Sequence, residues 1–383
     1  MAQQEKQPNQ ELAQNQKLIQ SLQQEVKQLE DRKVSLLDEI EQLELQKQQI
    51  IENTKLTAKP QPQKKFLVKL GFLLAFLSTL CLSCQNIIIA IILNPSSLFG
   101  QLTTGGYITP TVESSLLILW FRMLMVVPLL FVISRFIYPP SWGVIKKIID
   151  CQDSGLTIKV LASGFFLFLS QILIYLSLGF LPVGTAVTIF FIFPVATILL
   201  AWFLFRERPN LVRTIVMVIA GLGILLTIVL SSDSSWFGVN TAICSGITFA
   251  IYIVLTQLCG RKLHPVPFSV LNFITILICS FLGLLIILPF NAQFSIEPEV
   301  WIKLIISGLL LGILTLLSYL FSNISIRFIG AGNSAIMGGI NPGLTACLGW
   351  FVLGQSLGYE VGGIVLSTLG IIGISLERIY NRL

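Results

Sequence analysis

After residue 65 the chain alternates long apolar runs with short polar gaps. The runs fall near 66–93, 114–138, 158–179, 183–205, 210–231, 236–258, 267–290, 301–325, 330–353 and 358–376. Each approaches the roughly 20 residues that an α-helix needs to cross a hydrocarbon core about 30 Å thick. The pattern predicts an all-α polytopic membrane protein with about ten transmembrane helices. Upstream the material changes, because residues 11–52 contain Gln, Glu, Leu and Lys but neither Gly nor Pro. Leu12, Ile19, Val26 and Ile40 take heptad a positions there, and Leu22, Leu29, Leu36, Leu43 and Ile50 take d positions. One helix cannot bury such a seam alone, so the pattern predicts a cytoplasmic coiled-coil helix with a partner helix. A parallel homodimer would set Glu25 and Glu39 against Glu30 and Glu44 of the other chain. That repulsion leaves open an antiparallel homo-oligomer, a basic helical protein partner, docking onto the chain's own loops, or a solvated tether.

Composition agrees with lipid as the surroundings. Of 383 residues, 54% are hydrophobic and 11% charged, with mean hydropathy +0.83, too apolar for a solvated surface. The net charge of +6 does not imply nucleic acid, since the basic residues punctuate the gaps instead of forming a stripe. Lys55, Lys59, Lys64 and Lys65 precede the first run, and Lys146, Lys147, Arg206, Arg208, Arg261, Lys262, Arg327, Arg378 and Arg382 fall in alternate gaps. The opposite gaps hold Glu113, Asp233, Glu297, Glu299 and Glu360, with Lys303 at a run's edge. The positive-inside bias then places both termini in the cytoplasm of a plasma (inner) membrane, although a thylakoid or plastid envelope accepts the same topology. The first 50 residues are polar, so no signal peptide is expected.

The apolar part is written twice. Ser163-Gly164, Tyr175, Gly184, Pro194 and Trp202-Phe203 reappear as Ser307-Gly308, Tyr319, Gly332, Pro342 and Trp350-Phe351, with four extra residues in the second copy before Gly332. Five spans per copy make the second enter from the opposite side, a 5+5 inverted repeat of the kind found in carriers. The expected organisation is a disordered tail 1–10, coiled-coil helix 11–52, linker 53–65 with Pro60 and Pro62, five-helix units 66–231 and 232–378, and a cytoplasmic tail 379–383.

Polar residues inside the spans must face protein or a water-filled cavity. Arg122 lies about 12 Å into its span, too deep for easy snorkelling. It is either an attractor for an anionic group, such as a carboxylate, or a structural arginine on helix carbonyls. Pro194 and Pro342 fall near mid-membrane, and each frees the carbonyl four residues back, at Phe190 and Gly338. Paired broken segments at corresponding positions point to a transport site. Gln85, Asn86, Gln171, Tyr175, Thr188, Tyr252, Tyr319, Asn333 and Asn341 complete the candidate cavity lining, with spans three, four, eight and nine expected to form it.

Other chemistries lack their residues. Cys81 and Cys84 form a C-x-x-C inside a span with no basic partner, read as packing; no disulfide, metal site or cofactor is expected. After residue 65 every Asp and Glu lies in a gap or at a span end, and the single histidine, His264, lies in a loop. There is no phosphate-binding loop and no nucleophile with its base, so an enzyme is not expected.

Several words in order resemble the drug/metabolite transporter superfamily, specifically proteins of two EamA-type five-helix units. They are Arg122 in span two, Gln85-Asn86 in span one, Phe249-Ala250-Ile251-Tyr252 in span six, the run from Gly184 through Pro194 and Trp202 to Glu207, and Gly221-Leu222-Gly223. The resemblance implies a central cavity and alternating access for a small organic solute. Gln355 departs from it where the first copy has Glu207. Two alternatives stand beside the carrier: a membrane-anchored coiled-coil scaffold without transport, and a sugar-phosphate-type exchanger, for which one deep arginine is weak compensation for a dianion.

Overall fold

The computed structural model describes residues 62–98, 102–150, 153–205, 211–231, 235–260, 262–287, 297–355 and 358–380, together with Lys27, Arg32, Lys33, Ser35, Gln42 and Glu44. Those six positions are helical and exposed. The remainder of the expected coiled coil, the tail 1–10, the linker up to residue 61 and the end from 381 lie outside the described residues. Contacts divide the chain into two bodies, Met1–Phe66 and Leu67–Leu383, and the apolar helices pack together within the second.

The described elements are α1 (Pro62–Leu93), β1 (Pro95–Leu98), β2 (Leu102–Gly105), α2 (Val112–Ile137), α3 (Ser141–Ile149), α4 (Ser154–Phe180), α5 (Val183–Phe190), α6 (Phe193–Phe205), α7 (Leu211–Leu230), α8 (Trp236–Cys259), α9 (Pro265–Ile287), α10 (Pro298–Gly338), α11 (Asn341–Leu353) and α12 (Glu360–Tyr380). Among the described residues nine helical stretches are long and apolar enough to cross a membrane, and Glu360–Leu376 is a shorter tenth. Large apolar side chains stay on the outside, with Phe203 86% and Phe351 63% exposed, as lipid permits and water does not.

Two elements have no counterpart among the apolar runs. One is the short helix α3; the other is the antiparallel hairpin β1–β2, with Pro95 opposite Gly105. After the hairpin the chain folds back on the end of α1, where Gly106 N–H and Tyr107 N–H donate to the terminal carbonyls of Ile91 and Ile92. This satisfies acceptors that a helix end leaves open. The approach needs glycine: Gly105 has φ 98°, and a Cβ there would lie 2.4 Å from Ile91 O.

The two halves exchange under an approximate two-fold. The helix pairs α2–α9 and α7–α12 map onto themselves, while α4–α9 maps onto α10–α2. Hydrogen bonds repeat the relation. Ser170 Oγ donates to Ser245 O at 3.0 Å and Ser245 Oγ to Ser170 O at 2.8 Å, clasping α4 to α8. Ser78 Oγ donates to Ser318 O at 2.9 Å and Ser318 Oγ to Ser78 O at 3.1 Å, clasping α1 to α10.

These clasps correct the internal alignment. Ser170 pairs with Ser318, and from there the copies run in register: the helix end at Phe180-Leu181-Pro182 matches Phe328-Ile329-Gly330, and the breaks at Phe191-Ile192 and Gly339-Ile340 match each other. No four-residue insertion is needed, and Tyr319 is not the counterpart of Tyr175. Pro182 turns the first chain out of its helix, whereas in α10 the same task falls to Gly330, with φ 80° and ψ 160°. Different chemistry at one bend concealed the register.

The self-paired helices α7 and α12 touch backbone to backbone. A Cβ on Gly223 would meet Ser367 N at 2.3 Å, one on Gly363 would meet Thr227 N at 2.5 Å, and one on Gly370 would meet Ala220 N at 2.5 Å. Small residues of this kind let helices approach where no hydrophobic effect drives them together.

Candidate functional site

The fourth and ninth spans are each broken in mid-course, and the breaks frame a cavity of about 430 Å³. Its polar lining comes from Gln85 and Asn86 on α1, Arg122 on α2, Gln171 and Tyr175 on α4, Thr197 on α6, Asn341 on α11 and Ser375 on α12. The rest is apolar, led by Phe190, Phe191, Phe193 and Phe249. The size and the apolar lining with a few polar groups suit a small organic molecule.

Arg122 is 7% exposed and is held by side chains from both repeats. Its Nε donates to Thr315 Oγ1 at 2.8 Å, and its Nη1 donates to Gln171 Oε1 at 2.9 Å and Tyr175 Oη at 2.6 Å. All three acceptors are neutral. No carboxylate lies within ion-pair distance among the described residues, so a full positive charge stands uncompensated in a site of low dielectric. The partners are side chains, not the helix carbonyls of the structural alternative. Thr315 also bonds Gln85 Oε1 at 3.1 Å, which leaves Gln85 Nε2 buried with no acceptor.

The two breaks are not alike. Pro194 removes the donor for Phe190 O, and that carbonyl is sealed by the glycine edge of α8, where a Cβ on Gly246 would lie 2.7 Å from it. Pro342 does the same for Gly338 O, but a Cβ on Gly338 would meet nothing within 4 Å, and Gly338 lines the cavity. Beside it Asn341 Oδ1 accepts from Ser83 Oγ at 2.7 Å and Thr345 Oγ1 at 3.1 Å, which fixes the side chain at the start of α11.

Of the residues expected to line the cavity, Gln85, Asn86, Arg122, Gln171, Tyr175, Pro194 and Asn341 do so. Thr188, Tyr252, Tyr319, Asn333 and Pro342 do not. Thr188 Oγ1 bonds Gly184 O in its own helix, and Asn333 Nδ2 reaches back across the bend to Ile329 O. Tyr252 packs on Phe249, Tyr319 lies against Phe273 of α9, and Pro342 is buried behind Asn341. Span eight contributes no lining residue: Thr315 stands behind Arg122. Spans one, two, six and ten line the cavity in addition to those expected. Gln355 accepts from Val183 N at 3.1 Å, so its neutral amide caps α5, while Glu207 lies outside the described residues.

Relatives place this architecture. An uncharacterized transporter of Synechocystis sp. is 35% identical over 315 residues, covering 81% of this chain and 94% of that protein. The uncharacterized transporter YxxF of Bacillus subtilis is 26% identical over 221 residues, covering 56% of this chain and 68% of that one. Residues 69–229 and 236–376 each match one family description. With both halves matched and the two-fold packing in view, the chain belongs to the EamA-like transporter family, as an integral membrane protein built from two inverted copies of its helical unit.

Proposed function

We propose that the protein is a secondary carrier that moves a small organic solute across the plasma membrane by alternating access, binding it in the cavity between the broken spans. The observation that supports this most is the uncompensated Arg122 guanidinium on the wall of a 430 Å³ space framed by both repeats. Burying a lone charge is costly, and proteins keep one inside a membrane where a pathway or ligand uses it. An anionic group about 4 Å from it would gain about 4 kcal/mol at an effective dielectric near 20.

The charge bias between spans supports cytoplasmic termini. The ion pair between Lys262 Nζ and Asp153 Oδ2, 3.0 Å long, supports it too, since it joins two gaps that the bias assigns to the same side.

Accessibility of the cavity tests the reading without knowledge of the solute. In a variant lacking the native cysteines, Thr197→Cys should react with a membrane-impermeant maleimide in both right-side-out and inverted vesicles. Reaction from one side alone, or from neither, would remove alternating access.

A further inference from the structure

We infer that the passenger is an amphipathic monocarboxylate, with one acid group, an aromatic or branched apolar body, and no ammonium group. The inference rests on the carrier reading above and deepens it.

Two donors on residues that line the cavity lack acceptors. Arg122 uses Nε and Nη1 on protein partners, and Nη2 has none among the described residues. Gln85 is 3% exposed, lines the same cavity, and has an unpartnered Nε2. Its amide orientation follows from electrostatics. Oε1 lies 3.1 Å from Thr315 Oγ1, whose one proton is shared between it and Leu311 O at 2.6 Å; because Thr315 Oγ1 also receives the guanidinium Nε, a carbonyl oxygen is favoured on that positive side. An amide N–H and a guanidinium N–H together call for a ligand with acceptors only and a negative charge. A carboxylate supplies both. A phosphate monoester brings a second charge that nothing in the cavity neutralises.

The absence of acid on the lining decides the rest. No Asp or Glu lines the cavity among the described residues, so an α-ammonium would lose its water without gaining a counter-charge, under repulsion from Arg122. A deaminated acid avoids both penalties. For its body the cavity offers Phe190, Phe193 and Phe249, a three-ring cluster with centroids 4.8 to 5.3 Å apart. A space of 430 Å³ admits on the order of fifteen non-hydrogen atoms when each takes about the share of one liquid water.

The test is thermal stabilisation of the purified full chain by 3-phenylpropanoate, L-phenylalanine, 2-phenylethylamine and phenylsuccinate at matched concentrations. 3-Phenylpropanoate should raise the unfolding midpoint and the other three should not. Arg122→Gln should weaken its apparent affinity at least about tenfold, Gln85→Leu by a smaller factor, and Arg122→Lys should keep part of it. Gel filtration checks that each variant is folded; if Arg122→Gln is not, Gln85→Leu and Arg122→Lys carry the test. Equal stabilisation by phenylalanine or phenylethylamine, no response to 3-phenylpropanoate, or unchanged affinity in the folded variants would overturn the assignment. Maleimide labelling at Thr197→Cys needs no ligand. Two-sided labelling beside a failed ligand series would therefore reject this substrate class and leave the carrier standing.

Discussion

Replacing Gly223 by alanine should destabilise the fold, whereas the same change two residues earlier should not. A Cβ on Gly223 would lie 2.3 Å from Ser367 N and 2.7 Å from Ser367 Cα, both backbone atoms of α12. No rotamer change relieves that contact, so the helices must part by about 1 Å to reach the 3.4 Å of an ordinary contact. Overpacking of this kind costs about 1–3 kcal/mol, and a backbone clash belongs at the upper end. Gly221 has nothing within 4 Å, so Gly221→Ala adds no clash. Both substitutions share the gain in helix propensity, about 0.8–1 kcal/mol in soluble helices. Their difference therefore isolates the contact, at about 2–3 kcal/mol. Reversible unfolding in mixed detergent measures it, with the thermal midpoint as a second readout. Gly363→Ala and Gly362→Ala should repeat the contrast on the facing helix, since only Gly363 meets α7. Combining Gly223→Ala with Gly363→Ala should cost less than the sum, because the first separation makes room for the second. Equal stabilities for Gly221→Ala and Gly223→Ala would refute the argument that these backbones touch.

The hydrogen bonds carry two further outcomes. Ser170→Ala removes one arm of a reciprocal clasp and should cost about 0.6 kcal/mol; because the two clasps join different helix pairs and share no residue, Ser170→Ala and Ser318→Ala should add within about 0.5 kcal/mol in the same unfolding assay. The Lys262 ammonium, donating a hydrogen bond, and the Leu156 N–H hold the Asp153 carboxyl below its usual range. Its contribution to stability is therefore present above the ordinary carboxylate pKa and is lost as pH falls through the lowered folded value. Asparagine retains the helix cap, so the melting midpoints of wild type and Asp153→Asn should differ slightly at neutral pH and converge in acid.

The helices were legible because crossing lipid demands long uninterrupted apolar runs, and the bends because proline and glycine advertise themselves. Arg122 was legible for the same reason: a charge so deep in a span has few explanations. Its partner Thr315 was not, because nothing along one helix reveals which residue of another faces it. Reading polar residues first also misplaced part of the lining. Tyr252 and Asn333 satisfy themselves within their own helices or neighbours, while the phenylalanines that form the wall look in sequence like any membrane core. The shared tyrosines misled the alignment, since one conspicuous identity outweighed the quieter match of Ser170 with Ser318. The hairpin left a usable trace in Asn94-Pro95 and Gly105-Gly106, residues suited to a tight reversal.

The unlike breaks make the duplication chemically lopsided. At Phe190 the liberated oxygen is stoppered by the edge of α8, while the residue that carries the other, Gly338, borders the hollow and has open space where a side chain would stand. Under the proposed mechanism, swapping the conformations of the two halves would not return an equivalent chamber. A passenger would find different footing in the two forms, so loaded inward and outward states would differ in energy even with equal solute on both sides.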